Sequence, residues 1–314
     1  MKTPWWFLHK TPIAFLLWPV SMIYRLASRV VFWWRGIFAR GTNNRIVICV
    51  GNILAGGVGK TPIVREIASA LNSPVVMRGY KKSAGTLGIG DEALMLNRAG
   101  IQVHTGNRKS NIRLLDAQSA TTPIVMDDGF QNSSIKKDIS ILVFDAKLGI
   151  GNGFGLPAGP LREGRRAIRR ADAIIIVNPT DDVRAARLMV RLKIPENMPV
   201  FYVRNKTVSP YKNGTKLFAF AGIGYPKKFF AALSDVVGRR AFPDHYQYTS
   251  DDIARLKELA ARRGAKLITT EKDWVRLPEN AQNEIKYAEL KTEIDSEFFV
   301  WLKEKINANP KKRS

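Results

Sequence analysis

The sequence predicts an α/β fold: a doubly wound parallel sheet, a second and smaller α/β domain behind it, and a hydrophobic helix in front. Three observations lead there. From about residue 46 onward, short apolar runs that end in glycine or aspartate alternate with runs of helical spacing. The same order of strand, glycine turn and helix starts again after Lys206. Ahead of both lies a tryptophan-rich apolar segment that follows neither pattern. The 314 residues suffice for two compact domains, and the pattern breaks suggest boundaries at 1–40, 41–205 and 206–314.

The first segment, "TPIAFLLWPVSMIY" at 11–24, carries no charge, and apolar character resumes at Val30–Trp34. Arg25, Arg29 and Arg35 interrupt it, and Trp5, Trp6, Trp18, Trp33 and Trp34 are spread through it. A spanning helix needs about 20 predominantly apolar residues, so a span is marginal. Tryptophans beside arginines suit a helix lying at a membrane surface, with rings at headgroup depth and cations on phosphates. A core helix packed on the rest of the chain is the third reading. No small-residue cleavage site follows the apolar run, which disfavours a secretory leader.

After "ARGTNNR" the strands and helices come in order. "IVICVGN" is a buried parallel strand, and "TPIVREIASALN" a helix with Ile63, Ile67, Ala70 and Leu71 on one face. "SPVVMRGY" is a strand and "GDEALMLNRAG" a helix opened by acids. "TPIVMDDGFQ", "DISILVFDA", "ADAIIIVNP" and "NMPVFYVRN" are further strands. In the second domain "TKLFAFAGIGYPKKFFAALSDV" repeats the strand, turn and helix. "TSDDIARLKELAARRGAKLITT" then adds a helix capped by Ser250 or Asp251 and a strand.

The composition, 45% hydrophobic and 25% charged, is that of a globular chain. A net charge of +23 favours polyanionic partners: nucleic acid, anionic lipid headgroups or phosphorylated substrates. The single cysteine, Cys49, excludes a disulfide framework, fits a reducing compartment and suits plain strand packing.

The chemistry concentrates in four stretches. "GNILAGGVGKTP" has the order of a phosphate-binding loop between strand and helix, which makes the larger domain P-loop NTPase-like. Backbone N–H groups of Ala55, Gly56, Gly57, Val58 and Gly59 would cradle phosphates, Lys60 would bind them and Thr61 would offer a hydroxyl to Mg²⁺. Pro62 fits the first helical turn. The usual spacing needs glycine at position 54, which is Leu54, and the variant loop of partitioning-type ATPases needs lysine at 55, which is Ala55.

"IVMDDGFQN" ends a strand in Asp127 and Asp128, carboxylates suited to a metal ion opposite such a loop. Asp91 and Glu92 in "GIGDEALML" serve equally well as residues favouring a helix N-terminus or as a carboxylate that takes a proton from an acceptor hydroxyl. In "GPLREGRRAIRR", Arg162 and Glu163 follow a turn and suit a site, whereas Arg165, Arg166, Arg169 and Arg170 read equally as a solvated face. His245 in "FPDHY" has no metal-ligand spacing around it.

Taken in order, "VGNILAGGVGKTP", "GDEALML", "MDDGFQN", "GPLREG", "FPDHY" and "TTEKDWVR" make the chain resemble the lipid A 4′-kinases (tetraacyldisaccharide 4′-kinases) from the N-terminal helix to about residue 276. The resemblance implies ATP and Mg²⁺ as cofactors. It implies transfer of the γ-phosphate to the 4′-hydroxyl of a lipid-linked glucosamine disaccharide 1-phosphate, at the cytoplasmic face of a bacterial inner membrane. It also implies roles: Lys60 and Thr61 on phosphate and Mg²⁺, Asp91 as base paired with His245, Asp127, Asp128 and Glu163 around the metal, and Arg162 on phosphate. Asp91 and His245 fall in different expected domains, so closure of the domains would assemble them. The family's usual histidine after "DDGFQ" is Asn132 here, a position expected to support local packing. The implied partners are the lipid substrate and the membrane surface, with no nucleic acid and no obligatory protein. A membrane-recruited ATPase switch of the partitioning type is the alternative, and Ala55 counts against it.

Overall fold

The computed structural model describes residues 4–79, 90–179 and 182–309. Its strands are β1 (Val47–Gly51), β2 (Val75–Met77), β3 (Val103–Thr105), β4 (Ile124–Asp127), β5 (Ile139–Asp145), β6 (Ala173–Val177), β7 (Val200–Val208), β8 (Leu217–Ala221), β9 (Val236–Ala241), β10 (Lys266–Thr270) and β11 (Lys286–Ile294). The chain divides into two compact units. The larger comprises residues 3–78, 100–204 and 293–314; the smaller comprises 79–99 and 205–292, with 1–2. One division falls at 204/205; the helix that begins at Asp91 groups with the smaller unit and the C-terminal helix with the larger.

In the larger unit the strands run parallel in the order β3-β2-β4-β1-β5-β6-β7. All residues of β1, β4, β5 and β6 are buried, as strands covered on both faces must be. The chain leaves β1 toward β2 on one side and arrives at β5 on the other. This reversal opens a crevice at the carboxyl ends of β1 and β4, the usual ligand position in such sheets. Val50 pairs with Asp127 there, so the loop after β1 and the turn after β4 start side by side.

The helix Lys60–Ala70 buries Ile63, Val64, Ile67 and Ala68. Ile63 and Ile67 lie on the inner face as the spacing suggested, but Val64 and Ala68 complete it in place of Ala70, which is exposed, and Leu71. The helix Trp18–Ile37 inverts the usual pattern. Ser21, Arg25, Ser28, Phe32 and Gly36 recur at helical spacing and are its less exposed positions, while Ile23, Leu26, Trp33 and Trp34 are 61–70% exposed. The Ser21 hydroxyl donates to the Gly155 carbonyl at 2.9 Å. No described helix is long and apolar enough to cross a membrane, and the apolar side chains of this one are not buried in a core.

The smaller unit has a parallel sheet in the order β11-β10-β8-β9. One face packs Phe218, Phe220, Tyr248, Leu256 and Trp274; the other packs Leu217, Phe229, Phe230 and Ile268. The helix Ser250–Ala261 is capped by Thr249 in a reciprocal capping box with Asp252, one residue before the expected cap.

Gly51 closes β1 against the turn after β4. A Cβ there would lie 2.6 Å from the Phe130 Cβ and 3.2 Å from its backbone nitrogen. Overpacking of this kind costs about 1–3 kcal/mol. Gly51→Ala is therefore expected to lower the thermal midpoint followed by circular dichroism; an unchanged midpoint would mean that the turn moves aside without cost.

Candidate functional site

The larger unit gathers its chemistry at the carboxyl ends of β1 and β4. Gly59, with φ 79°, precedes Lys60, the first residue of the helix. Gly56 has φ 118°, a conformation only glycine adopts freely, and a Cβ built there meets nothing within 4 Å. The loop is pinned from the side by "GPLRE": the Ala55 N–H donates to the Pro160 carbonyl at 2.7 Å and the Arg162 N–H to the Ile53 carbonyl at 2.8 Å. Leu54, in the place of the missing glycine, forms a bridge with Leu161 and is buried.

Asp128 ties these pieces together. Lys60 Nζ lies 3.1 Å from its Oδ1, and Arg162 Nη1 donates to its Oδ2 at 3.1 Å. Its backbone is left-handed at φ 50°, a conformation that costs a non-glycine residue energy and persists only where surroundings impose it. Burial pushes the Asp128 carboxyl up, but Lys60 and Arg162 outweigh burial and hold it below the ordinary carboxylate value. Arg108 Nη2 donates to the carbonyls of Asp127 and Asp128 at 2.8 and 3.2 Å, which steadies the turn from behind.

Lys60, Asp128 and Arg162 are thus brought together. Glu163 is not turned to the aspartates but pairs with Arg170. The Arg170 guanidinium also lies over the rings of Phe32 and Phe130, at 4.2 and 4.6 Å from their centroids. So one arginine of the expected solvated face is sandwiched between the N-terminal helix and the "DDGFQ" turn. Asn132 accepts from the Ser134 N–H and hydroxyl at 3.1 and 2.7 Å and so shapes this turn.

Among the described residues, no three His, Cys, Asp or Glu side chains are close enough to hold a metal ion by themselves. Mg²⁺ keeps water and phosphate oxygens and takes only one or two carboxylates from a protein. Asp127, buried at the end of β4, and Thr61, in the first helical turn, are hard oxygen donors of that type.

The smaller unit carries the other cluster. Asp91 opens its helix with a side chain 3% exposed, and its Oδ2 lies 2.9 Å from His245 Nδ1. The pair is complete within one unit, so no closure of domains is needed to form it, contrary to the sequence expectation. His245 is left-handed at φ 61°, its N–H donates to the Gly222 carbonyl at 3.0 Å, and its side chain is 48% exposed. Behind Asp91 stands Arg276, whose Nε donates to the same Oδ2 at 2.9 Å.

Sequence reasoning left Arg170 open between a site and a solvated face and missed Arg108, Arg276 and Asp273. The signal for the last two was present: Asp273 and Arg276 are charges three apart in the apolar run "DWVRLP". It missed Asn52 as well, a residue 0% exposed at the mouth of the loop whose carbonyl accepts from Gln131 at 2.7 Å.

Comparisons with known proteins bear on the family and the fold. Residues 13–307 match the sequence family described as LpxK, tetraacyldisaccharide-1-P 4′-kinase. The tetraacyldisaccharide 4′-kinase of Chelativorans sp. (strain BNC1) is 35% identical over 89% of this chain and 86% of its own length. That of Phenylobacterium zucineum (strain HLK1) is 42% identical over 74% and 76%. The crystal structure of Aquifex aeolicus LpxK in complex with ATP superposes with a TM-score of 0.73 at 24% identity, covering 94% of this chain and 98% of that one, and so shares its fold.

The Asp128 ion pairs make a pH-dependent contribution to stability. Because the folded carboxyl titrates below its unfolded value, that contribution is present above about pH 4 and is lost as pH falls through the folded value. Asp128→Asn is expected to be less stable than wild type in denaturant titrations at pH 7, with the gap closing below pH 4. A gap independent of pH would remove the ion pairs as its cause.

Proposed function

The chain belongs to the tetraacyldisaccharide-1-P 4′-kinase family, and on that premise we propose how its residues divide the reaction. The protein is a kinase of lipid A biosynthesis and phosphorylates the 4′-hydroxyl of a tetraacyldisaccharide 1-phosphate. The observation that carries the mechanism is the meeting of Lys60, Asp128 and Arg162 beside an open glycine loop.

In this reading the loop from Gly56 to Gly59 holds ATP through its N–H groups, the Ala55 N–H being taken by the Pro160 carbonyl, and Lys60, Thr61 and Pro62 open the helix whose dipole faces the phosphates. Lys60 and Arg162 exchange the Asp128 carboxylate for phosphate oxygens as nucleotide arrives. Thr61 and Asp127 would hold Mg²⁺, which would neutralise charge on the β- and γ-phosphates. Asp128 would act on Lys60 and Arg162, and Glu163 on Arg170.

Asp91 and His245 act as one unit that accepts the proton of the 4′-hydroxyl as its oxygen attacks the γ-phosphorus and the bond to the β–γ bridging oxygen breaks, with ADP as the leaving group. Asp91 holds the ring through Nδ1, and the exposed imidazole is the part that meets solvent. The N-terminal helix supports docking at the cytoplasmic face of the inner membrane. Its outward residues are Ile23, Leu26, Trp33 and Trp34, the composition of a helix sunk to headgroup depth. The charge of +23 adds attraction to anionic lipid and to the substrate's own phosphate.

Purified protein is expected to transfer phosphate from ATP to the disaccharide lipid, and Lys60→Ala to lose the activity. Asp91→Asn should lower kcat by about 10²–10⁴-fold, the usual worth of a positioned base; full activity in either variant defeats the assignment of that residue. In sedimentation with anionic phospholipid vesicles, replacing Ile23, Leu26, Trp33 and Trp34 by serine should release the protein. Unchanged binding would place the membrane contact elsewhere.

A further inference from the structure

Behind Asp91 lies a cation that the reaction as described does not use. The Arg276 side chain is wholly shielded from solvent. Its Nε donates to Asp91 Oδ2 at 2.9 Å, the oxygen that also faces His245 Nδ1. Its Nη1 donates to the Gly222 carbonyl at 3.0 Å and to Asp273 Oδ1 at 3.1 Å. The same Gly222 carbonyl accepts the backbone N–H of His245, whose left-handed conformation hangs from it. One planar guanidinium therefore touches both the carboxylate of the dyad and the peptide group that sets the backbone of its histidine.

Arg276 is itself held rigidly. Asp273 Oδ1 also accepts from the Gly222 N–H at 2.8 Å and the Tyr248 hydroxyl at 3.0 Å, and its Oδ2 accepts from the Thr270 hydroxyl at 2.6 Å. All these residues belong to the smaller unit. A fixed fork of donors can hold two acceptors at a set separation, which a flexible ammonium cannot.

We propose that Arg276 is a positioning residue for the phosphoryl transfer: it fixes the Asp91 carboxylate and the His245 backbone relative to each other, so that the imidazole is presented in one orientation. This rests on the reading of Asp91 and His245 as the proton-accepting pair. Without Arg276, Asp91 Oδ2 loses one of its two charged or ring donors, and the Gly222 carbonyl keeps only the His245 N–H of the two bonds named here. Misplacement by about 1 Å costs about 100-fold in rate even from residues that never touch substrate.

The test uses the full chain in detergent micelles with ATP and the disaccharide lipid. Arg276→Gln is expected to lower kcat by about 100-fold with KM for both substrates little changed, and to shift the His245 ring signals in ¹⁵N-correlated NMR, assigned with His245→Gln. Arg276→Lys, which restores charge but not the fork, should recover only part of the rate and leave the ring signals displaced. Because Arg276→Gln leaves Asp273 buried without its cation, the double variant Asp273→Asn/Arg276→Gln provides the same readouts in a chain relieved of that charge. Wild-type kcat with unchanged His245 signals, or a lost rate with those signals unchanged, overturns the proposal. If Asp91→Asn instead retains wild-type kcat, the dyad reading fails, and that outcome is read independently of Arg276.

Discussion

The Asp128 carboxylate is the interaction on which the nucleotide half of this protein depends. It stands at the end of a fully buried parallel strand, in a left-handed backbone conformation, and accepts Lys60 from one loop and Arg162 from another. Burying a carboxylate is costly unless opposite charge and hydrogen bonds meet it. Here two cations do so, and the residual attraction is strong enough to depress its titration. The same arrangement keeps two cations, Lys60 and Arg162, on one carboxylate beside the glycine loop.

A second constraint links this site to the apolar surface. Arg170 lies between Phe130 of the "DDGFQ" turn and Phe32 of the N-terminal helix while it pairs with Glu163. Cation–π contacts strengthen as water is excluded from them. The helix meets the rest of its unit through a narrow stripe of serine, arginine, phenylalanine and glycine and turns its tryptophans outward. An element that hides polar residues and shows apolar ones is stable where its outside is not water. The N-terminal helix and the turn after β4 therefore share one packing contact, through Arg170.

The smaller unit solves a different problem, that of holding a carboxylate and an imidazole at 2.9 Å with little freedom. A left-handed histidine and a buried arginine converge on one oxygen of a carboxylate that opens a helix. Asp273, kept above its ordinary carboxyl value by burial despite the bonds from Thr270 and Arg276, sits at the base of that network. Tyr248, raised in its turn by burial and by Asp273, remains a donor.

Local rules made most of the larger unit legible. β1, β4, β5 and β6 are continuous apolar runs, and a strand buried on both faces needs nothing else to be recognised. The short β3, the exposed edge strand β9 with Gly238 and two arginines, and the charge-rich β11 escaped because neighbours rather than composition make them strands. The sequence by itself determined the loop chemistry: Gly56, Gly59, Lys60 and Thr61 follow one another along the chain and need no partner to be read. Tertiary structure alone decided the pairings. It put Glu163 on Arg170 and Arg276 behind Asp91, and it joined Asp91 to the unit of His245 across 154 residues. Spacing along the chain encodes what lies within one turn or strand, whereas a contact between distant charges is fixed only when the packed core sets where each backbone ends.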